Sequence, residues 1–162
     1  MGIQVCSLKN SQAQTIPPGD DYTVVRFPFD AAGESYDRYG MHQPDQPDQP
    51  DDVQATYADP RSGLIWPSGD GWGSLTAMLH WEDGSYTETR DRFVRDPLGL
   101  FGTPDSTATE DHAATSGGNY HHKSHEMFVH PGTPVGLLVR HNSARPLRLT
   151  FAEFKLAIHP LD

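Results

Sequence analysis

Apolar and polar residues alternate along several short stretches of the chain. Between residues 75 and 81, apolar side chains stand at every second position. Side chains of a strand point alternately to its two faces, so this spacing predicts a strand with one buried face. The pair Asp83-Gly84 is a strong signal for a hairpin turn and a return strand. Residues 23–29 also alternate, and Pro28 ends that strand or places it at a sheet edge.

The C-terminal third predicts two further strands. Residues 134–142 are apolar or glycine up to residue 139, which indicates a buried strand, and a long final strand begins at residue 147. In this final strand the apolar residues occupy odd positions up to residue 151 and even positions from residue 154. The change of phase predicts either a β-bulge near Ala152 and Glu153 or a strand that is covered on both faces.

Glycine and proline separate these stretches. The 15 glycines and 14 prolines are scattered as turn residues, apart from one cluster, and no long stretch has helical periodicity. Many short strands joined by turns indicate an all-β protein. We predict one antiparallel jelly-roll sandwich of about eight to ten strands over residues 22–162. A polar N-terminal arm, residues 1–21, is predicted to precede it.

Two segments are predicted to be long loops. The triplet Gln-Pro-Asp repeats within residues 43–52, and repeated proline favours an extended, solvated polyproline segment. We interpret it as an exposed spacer, with a partner-binding proline ligand as the alternative. Residues 96–119 are mostly small and polar, which is typical of a long functional or disordered loop. A short helical turn near residues 109–114 is the one regular element expected there.

Charge and cysteine content narrow the classes of function. The net charge is −10, and such a surface would repel the phosphates of a nucleic acid. No apolar run reaches the roughly 18 residues that a membrane span requires, and the first residues lack the pattern of a signal peptide. The single cysteine excludes an internal disulfide. We therefore expect neither nucleic acid nor membrane as a partner.

A cluster of histidines raises the question of a metal site. Residues 117–132 contain four histidines and a glutamate, namely His121, His122, His125, His130 and Glu126. The zinc motif of metalloprotease helices places two histidines four residues apart. Here His125 and His130 are five apart, so on a helix their side chains would diverge by about 140°. The helical zinc site is therefore not predicted.

A cupin is the alternative metal-binding jelly roll, because its ligands come from strands. In a strand, His122 and His125 point to opposite faces. His121 and His125 share a face, but Lys123 lies between them and its ammonium would repel a cation. We predict no metal site and no cofactor, and keep His121, His122 and His125 as the candidate ligands of a cupin-like metalloenzyme. A metal site whose ligands converge from loops, or from three subunits around a three-fold axis, stays an open alternative.

Other catalytic signatures are also missing. The sequence has no nucleophile elbow, phosphate-binding loop or dinucleotide-binding glycine pattern. Cys6 has no flanking signature of a nucleophile. Trp66 and Trp72 flank a glycine-rich turn, where indole rings either pack in an interior or interface or stack on a sugar. We predict a protein without enzyme activity, with a carbohydrate-binding module as an alternative.

Two segments resemble known families. Residues 25–42, VRFPFDAAGESYDRYGMH, resemble a signature of small structural proteins from actinobacterial tailed phages. Residues 135–160, VGLLVRHNSARPLRLTFAEFKLAIHP, resemble the closing strands of domains of the C1q and tumour-necrosis-factor type. That second resemblance implies a ten-stranded jelly roll that assembles as a trimer through aromatic-rich sheets.

The resemblance implies a structural role in a virion and no catalytic residues. We expect a homotrimeric capsid decoration protein, made in the host cytoplasm and bound to major capsid subunits. A tail-associated protein that binds a receptor or carbohydrate is the alternative. The side chains predicted to take part in these interactions are Arg26, Tyr36, Asp37, Tyr39, Trp66 and Trp72.

Overall fold

Ten strands and one short 3-10 helix, Pro60–Gly63, form the regular structure of the described residues, which are 2–46, 54–114 and 118–161 of this computed structural model. The strands are β1 (Gln4–Asn10), β2 (Gln14–Ile16), β3 (Thr23–Val24), β4 (Glu34–Tyr36), β5 (Gly71–Trp81), β6 (Glu88–Arg95), β7 (Asp105–Ala113), β8 (Asn119–Val129), β9 (Val135–His141) and β10 (Leu147–Pro160). No described helix is long and apolar enough to cross a membrane.

The strands form two sheets that face each other. Sheet I has the order β4-β1-β10-β5-β8, with β2 also paired to β10, and sheet II has the order β3-β9-β6-β7. All the strand pairings are antiparallel. Neighbours in the sheets are mostly distant in sequence, as in a jelly roll. The predicted all-β jelly roll is confirmed.

Aromatic side chains fill the space between the sheets. Phe154 of β10 stacks on Phe93 of β6, with ring centroids 5.9 Å apart, and its ring lies 6.3 Å from that of Phe27. All three side chains are fully buried, as is Trp81 at the end of β5. Because Phe93 belongs to sheet II and Phe154 to sheet I, this stack holds the two sheets together.

The final strand contains the predicted bulge. The register between β10 and β5 shifts between Leu149 and Phe151, slightly before the expected position. The extra residue turns Phe151 away from the core face, while Ala152 and Phe154 continue into the core. One irregularity thus accounts for the change of phase in the sequence.

The predicted N-terminal arm is wrong, because residues 4–10 and 14–16 are strands of sheet I. β1 pairs with β10 along its whole length, from Gln4 opposite Ile158 to Asn10 opposite Ala152. Of the polar residues that suggested an arm, Asn10 and Gln14 are buried and hydrogen-bonded. The Asn10 amide donates to the Arg26 carbonyl at 2.9 Å, which satisfies a backbone group that no strand partner reaches.

The long polar loop over residues 96–119 is also corrected, because residues 105–113 form β7. Among the described residues this edge strand pairs only with β6, and its side chains are exposed or half-buried. It therefore lacks the buried alternation that identifies a strand in sequence. The helical turn expected near residues 109–114 is part of this strand. Of the Gln-Pro-Asp segment, residues 47–52 lie outside the described residues.

Candidate interaction surface and buried polar cluster

The outer face of sheet I, which points away from the core, has aromatic residues at both ends. At one end Trp72 and Phe128 are 38% and 47% exposed, and their rings meet edge to face at 5.0 Å. At the other end Tyr120 is 69% exposed, and its ring lies 4.2 Å from that of His80. Exposed apolar groups that share one face mark sites of protein contact more often than scattered ones do.

Small side chains occupy the centre of the same face. Ser74, Thr76, Ser124 and Glu126 line a cavity of about 440 Å³ between β5 and β8. Ser74 Oγ donates to Glu126 Oε1 at 3.2 Å. Short side chains in the centre allow another backbone to approach, while the aromatic ends supply apolar area.

The histidine-rich stretch forms β8, whose side chains alternate between the two faces. His122 lies on the outer face, whereas His121, Lys123 and His125 point towards sheet II. His125 Nε2 lies 3.2 Å from Thr107 Oγ1. The three candidate ligands are therefore not brought together, since one lies on the opposite face and Lys123 separates the other two.

An ion cluster around a buried lysine lies where β8 meets sheet II. Lys123 is 2% exposed, and its Nζ lies 3.1 Å from Asp91 Oδ1 and 2.9 Å from Glu110 Oε1. His112 Nε2 lies 2.7 Å from Asp91 Oδ2. We call Asp91, Glu110, His112 and Lys123 the Lys123 cluster.

The Lys123 cluster includes three side chains whose spacing would suit a metal ion. Ligand atoms of Asp91, Glu110 and His112 all lie within 4.8 Å of one another. The Lys123 ammonium already lies between the two carboxylates, where it would oppose a bound cation by like charge. The cluster is thus an ion-pair network around a lysine rather than a metal-binding arrangement.

His121 lies beside this cluster in a ring stack. Its ring centroid is 3.9 Å from that of His112. Burial lowers the pKa of His121, and the neighbouring His112 lowers it further. At neutral pH the His121 ring is therefore uncharged and can stack on His112 without repulsion between like charges.

The segment that resembles a phage signature folds as a hydrogen-bonded unit against β1. The Asp37 carboxylate accepts bonds from the backbone N–H groups of Met41 and His42 at 2.8 and 2.9 Å. His42 is fully buried, with Nδ1 3.0 Å from Glu34 Oε1 and Nε2 2.7 Å from the Ser62 carbonyl. Glu34, Asp37 and His42 therefore have structural partners inside the chain.

Cys6 of β1 lies behind this unit. Its thiol is fully buried, and burial together with the nearby Asp37 raises its pKa far above the ordinary value. A nucleophilic cysteine needs a thiolate, so this environment makes Cys6 an unreactive core residue.

The sequence matches no family model and no curated protein. Solved structures do match. Eiger TNF from S. frugiperda covers 99% of this chain and 95% of its own length, with a TM-score of 0.58 and 11% identity. Murine APRIL at pH 5.0 covers 98% of this chain and 100% of its own, with a TM-score of 0.55 and 13% identity. The chain has a tumour-necrosis-factor-like jelly-roll fold.

This fold confirms the part of the sequence resemblance that concerned the jelly roll. At 11% and 13% identity, the likeness defines the architecture of the chain alone. The resemblance to phage structural proteins stays a prediction, and so does the role of the chain in a virion.

The predicted interaction residues divide into two groups within the tumour-necrosis-factor-like fold. Tyr36, Tyr39 and Trp72 are exposed, and their role in binding stays a prediction. Arg26 donates through Nη1 to the Tyr57 carbonyl at 3.1 Å. Asp37 closes the turn described above, and Trp66 is 5% exposed. The side chains of these last three make contacts within the chain.

Two groups of residues escaped the sequence analysis. Phe128 and Tyr120 follow from the alternation of β8, because Met127 and Val129 point inwards. Asp91 and Glu110 could be found only from the pairing of β6 with β7 and the approach of β8. No short-range pattern connects these carboxylates to Lys123.

We expect the Glu34–His42 contact to make stability depend on pH. His42 Nε2 must donate to the Ser62 carbonyl, so the contact at Nδ1 needs either an imidazolium or a protonated Glu34. Burial raises the pKa of Glu34, although His42 opposes part of this effect. A raised pKa contributes stability at acidic pH that is lost as the pH rises through the folded-state value.

Glu34→Gln should remove this dependence, because a neutral amide can donate to Nδ1 of a neutral His42. In urea unfolding between about pH 5 and pH 8, wild type should therefore lose stability relative to the variant as the pH rises. Glu82→Gln is the control, because the bond from Arg148 lowers the pKa of Glu82, so its contribution to stability is lost only at more acidic pH and should stay constant between about pH 5 and pH 8. If the difference in free energy of unfolding between wild type and Glu34→Gln did not change with pH, the assigned role of the Glu34–His42 contact would be contradicted.

Proposed function

We propose that the chain is a non-enzymatic structural protein of a bacteriophage virion, which forms a homotrimer and decorates the capsid. Two observations support this function. The fold is that of tumour-necrosis-factor-like jelly rolls, and residues 25–42 resemble a signature of phage structural proteins. In this proposal the protein acts by binding, and its jelly roll serves as a rigid support for the contact surfaces.

We base the proposed trimer on the outer face of sheet I. Its charges are balanced, since Lys9 lies opposite Glu153, Lys155 Nζ lies 3.7 Å from Glu153 Oε2, and Glu126 is bonded to Ser74. In a chain with a net charge of −10, this balance minimises repulsion between copies. The occupant that we propose for this face is therefore a second copy of the chain.

A cyclic trimer needs two different surfaces of each copy to meet. The edge strand β8 supplies Phe128 and Tyr120 as protruding groups. The outward-facing part of β1 and β10 includes the small side chains of Ser7 and Ala157. We propose that β8 of one copy packs on this part of the next.

We propose that the loop between β6 and β7 contacts the capsid. Leu100 and Phe101 are exposed at its tip. The Asp96 carboxylate accepts N–H bonds from Leu100, Phe101 and Gly102 at 2.8, 2.8 and 3.0 Å. This network fixes the backbone of the loop, and the partly exposed Phe101 ring lies edge to face against Trp66 with centroids 6.0 Å apart, which limits the entropy lost on binding.

Phe128→Glu should convert the trimer to a monomer. The variant places a carboxylate in the proposed contact, where it would lose hydration without gaining a partner. Light scattering on a sizing column should report one chain per particle. Phe101→Ser is the matched control, because it also removes an exposed phenylalanine and should stay trimeric. Loss of the trimer in both variants would contradict the assigned contact.

The virion assignment is tested by quantitative mass spectrometry of purified particles. Hundreds of copies per particle would support capsid decoration, and Phe101→Ser should reduce that number. A handful of copies would overturn decoration in favour of the tail-associated alternative. A chain that is absent from purified particles would refute both assignments.

A further inference from the structure

Lys123 and Asp91 lie in contact and are both almost fully buried, whereas Glu110, which touches Lys123, is 44% exposed. Lys123 is 2% exposed and Asp91 is 1% exposed. Although Nζ lies 3.1 Å from Asp91 Oδ1, the geometry is not that of a hydrogen bond, and this oxygen accepts none from the described residues. A buried acceptor without a hydrogen bond is rare in proteins, and here the Lys123 ammonium is the charged group that lies against this oxygen.

The two remaining members of the Lys123 cluster lie where proton transfer would need them. Glu110 Oε1 lies 2.9 Å from Lys123 Nζ, and His112 Nε2 lies 2.7 Å from the second oxygen of Asp91. Glu110 Oε2 and His112 Nε2 are 3.9 Å apart. A base thus touches the amine, an acid touches the carboxylate, and the two lie close to each other.

We propose that Lys123 and Asp91 react to form an intramolecular amide bond. Glu110 takes a proton from the Lys123 ammonium, and the free amine attacks Asp91 Cγ. The Nζ–Cγ bond forms and the Cγ–Oδ2 bond breaks. The two protons lost from nitrogen reach Oδ2 by way of Glu110 and His112, so that Oδ2 leaves as water. The charges of ammonium and carboxylate cancel, and no oxidant or further reactant is needed.

The surroundings favour the reaction in three ways. Strands β6 and β8 fix the two reacting groups, which replaces a bimolecular encounter by an intramolecular one. Burial of the two reacting groups limits the water that would hydrolyse the new amide bond. The ring of Phe93, 5.6 Å from Nζ, forms an apolar wall of the site.

A second lysine-carboxylate pair in the same chain lacks these features. Lys155 Nζ lies 3.7 Å from Glu153 Oε2, and both side chains are substantially exposed. Neither of these side chains is paired with a histidine among the described residues. This pair is therefore the internal control, because proximity of a lysine to a carboxylate exists there without burial or an adjacent acid and base.

The bond would join the two sheets at an edge where no strand pairing connects them. Asp91 lies on β6 of sheet II and Lys123 on β8 of sheet I. A covalent link between them restricts the unfolded chain as a disulfide does. The inference concerns a single chain and does not depend on the trimer or on the virion role.

The test is the intact mass of the purified full-length protein. The proposal expects a mass lower than that of the sequence by one molecule of water. After denaturation and digestion with trypsin, residues 91–92 should be linked to residues 96–140, because a modified Lys123 is not cleaved. An unmodified mass after prolonged incubation of the folded protein would overturn the proposal.

Variants of the full-length protein test the role of each residue in the proposed reaction. Glu110→Gln should keep the ion pair but show the unmodified mass, and it should melt about 10 °C below wild type. Glu153→Gln is the matched control and should keep the loss of water. If Glu110→Gln fails to fold, Lys123→Met replaces it and should also show the mass of its own sequence. Loss of water in folded Glu110→Gln would overturn Glu110 as the base.

Discussion

Phe154→Ala is expected to lower the free energy of unfolding by about 3–5 kcal/mol. The Phe154 ring is fully buried and touches aromatic rings on both sides, Phe93 at 5.9 Å and Phe27 at 6.3 Å between centroids. The substitution leaves a cavity between the sheets that neither sheet can close without losing its own pairing. Urea unfolding monitored by circular dichroism measures the effect.

The matched control for this variant is Phe101→Ala, which removes the same ring from an exposed position. We expect a loss of about 1 kcal/mol or less, because the edge-to-face contact with Trp66 at 6.0 Å is the ring contact that this variant removes. If both variants lost stability equally, the Phe154 stack would not be the main contact between the sheets. A loss below about 1 kcal/mol for Phe154→Ala would likewise contradict its central position.

Gly33→Ala is expected to lower the free energy of unfolding by about 3 kcal/mol or more. A Cβ atom at this position would lie 2.0 Å from the carbonyl oxygen of Pro28. The backbone cannot move aside easily, because the Gly33 carbonyl accepts the N–H of Lys9 on β1 and the Gly33 N–H donates to Asp30. Thermal and urea unfolding should both show the loss.

Gly102→Ala is the control for the glycine variant, because no heavy atom lies within 4 Å of the added methyl group. Its stability should equal that of wild type to within about 0.5 kcal/mol. The comparison also tests whether the segment around Gly33, which resembles a phage signature, has a structural function. A neutral Gly33→Ala variant would indicate that the Pro28 contact is not required.

The fold could be predicted wherever a strand buries one face. The alternation of β5 and the change of phase in β10 both follow from the sequence, because each second side chain enters the core. β7 could not be found in this way, since it is an edge strand without a buried apolar row. β1 and β2 escaped detection because the buried polar residues Asn10 and Gln14 bind backbone groups of other segments.

Prediction of the candidate sites from the sequence is limited in the same way as prediction of the strands. The sequence indicates that Lys123 separates His121 from His125, and the structure places all three on one face of β8. The carboxylates that surround Lys123 come from β6 and β7. Only the pairing of distant strands brings these groups together, so the Lys123 cluster cannot be predicted from local spacing.

The mass of the particle in solution tests the central claim, self-association through the outer face of sheet I, most directly. Sedimentation equilibrium on the wild-type protein should give three times the chain mass of 17.9 kDa. The same measurement on Phe128→Glu should give 17.9 kDa. A wild-type protein that sediments as a single chain over the whole concentration range would contradict the trimer.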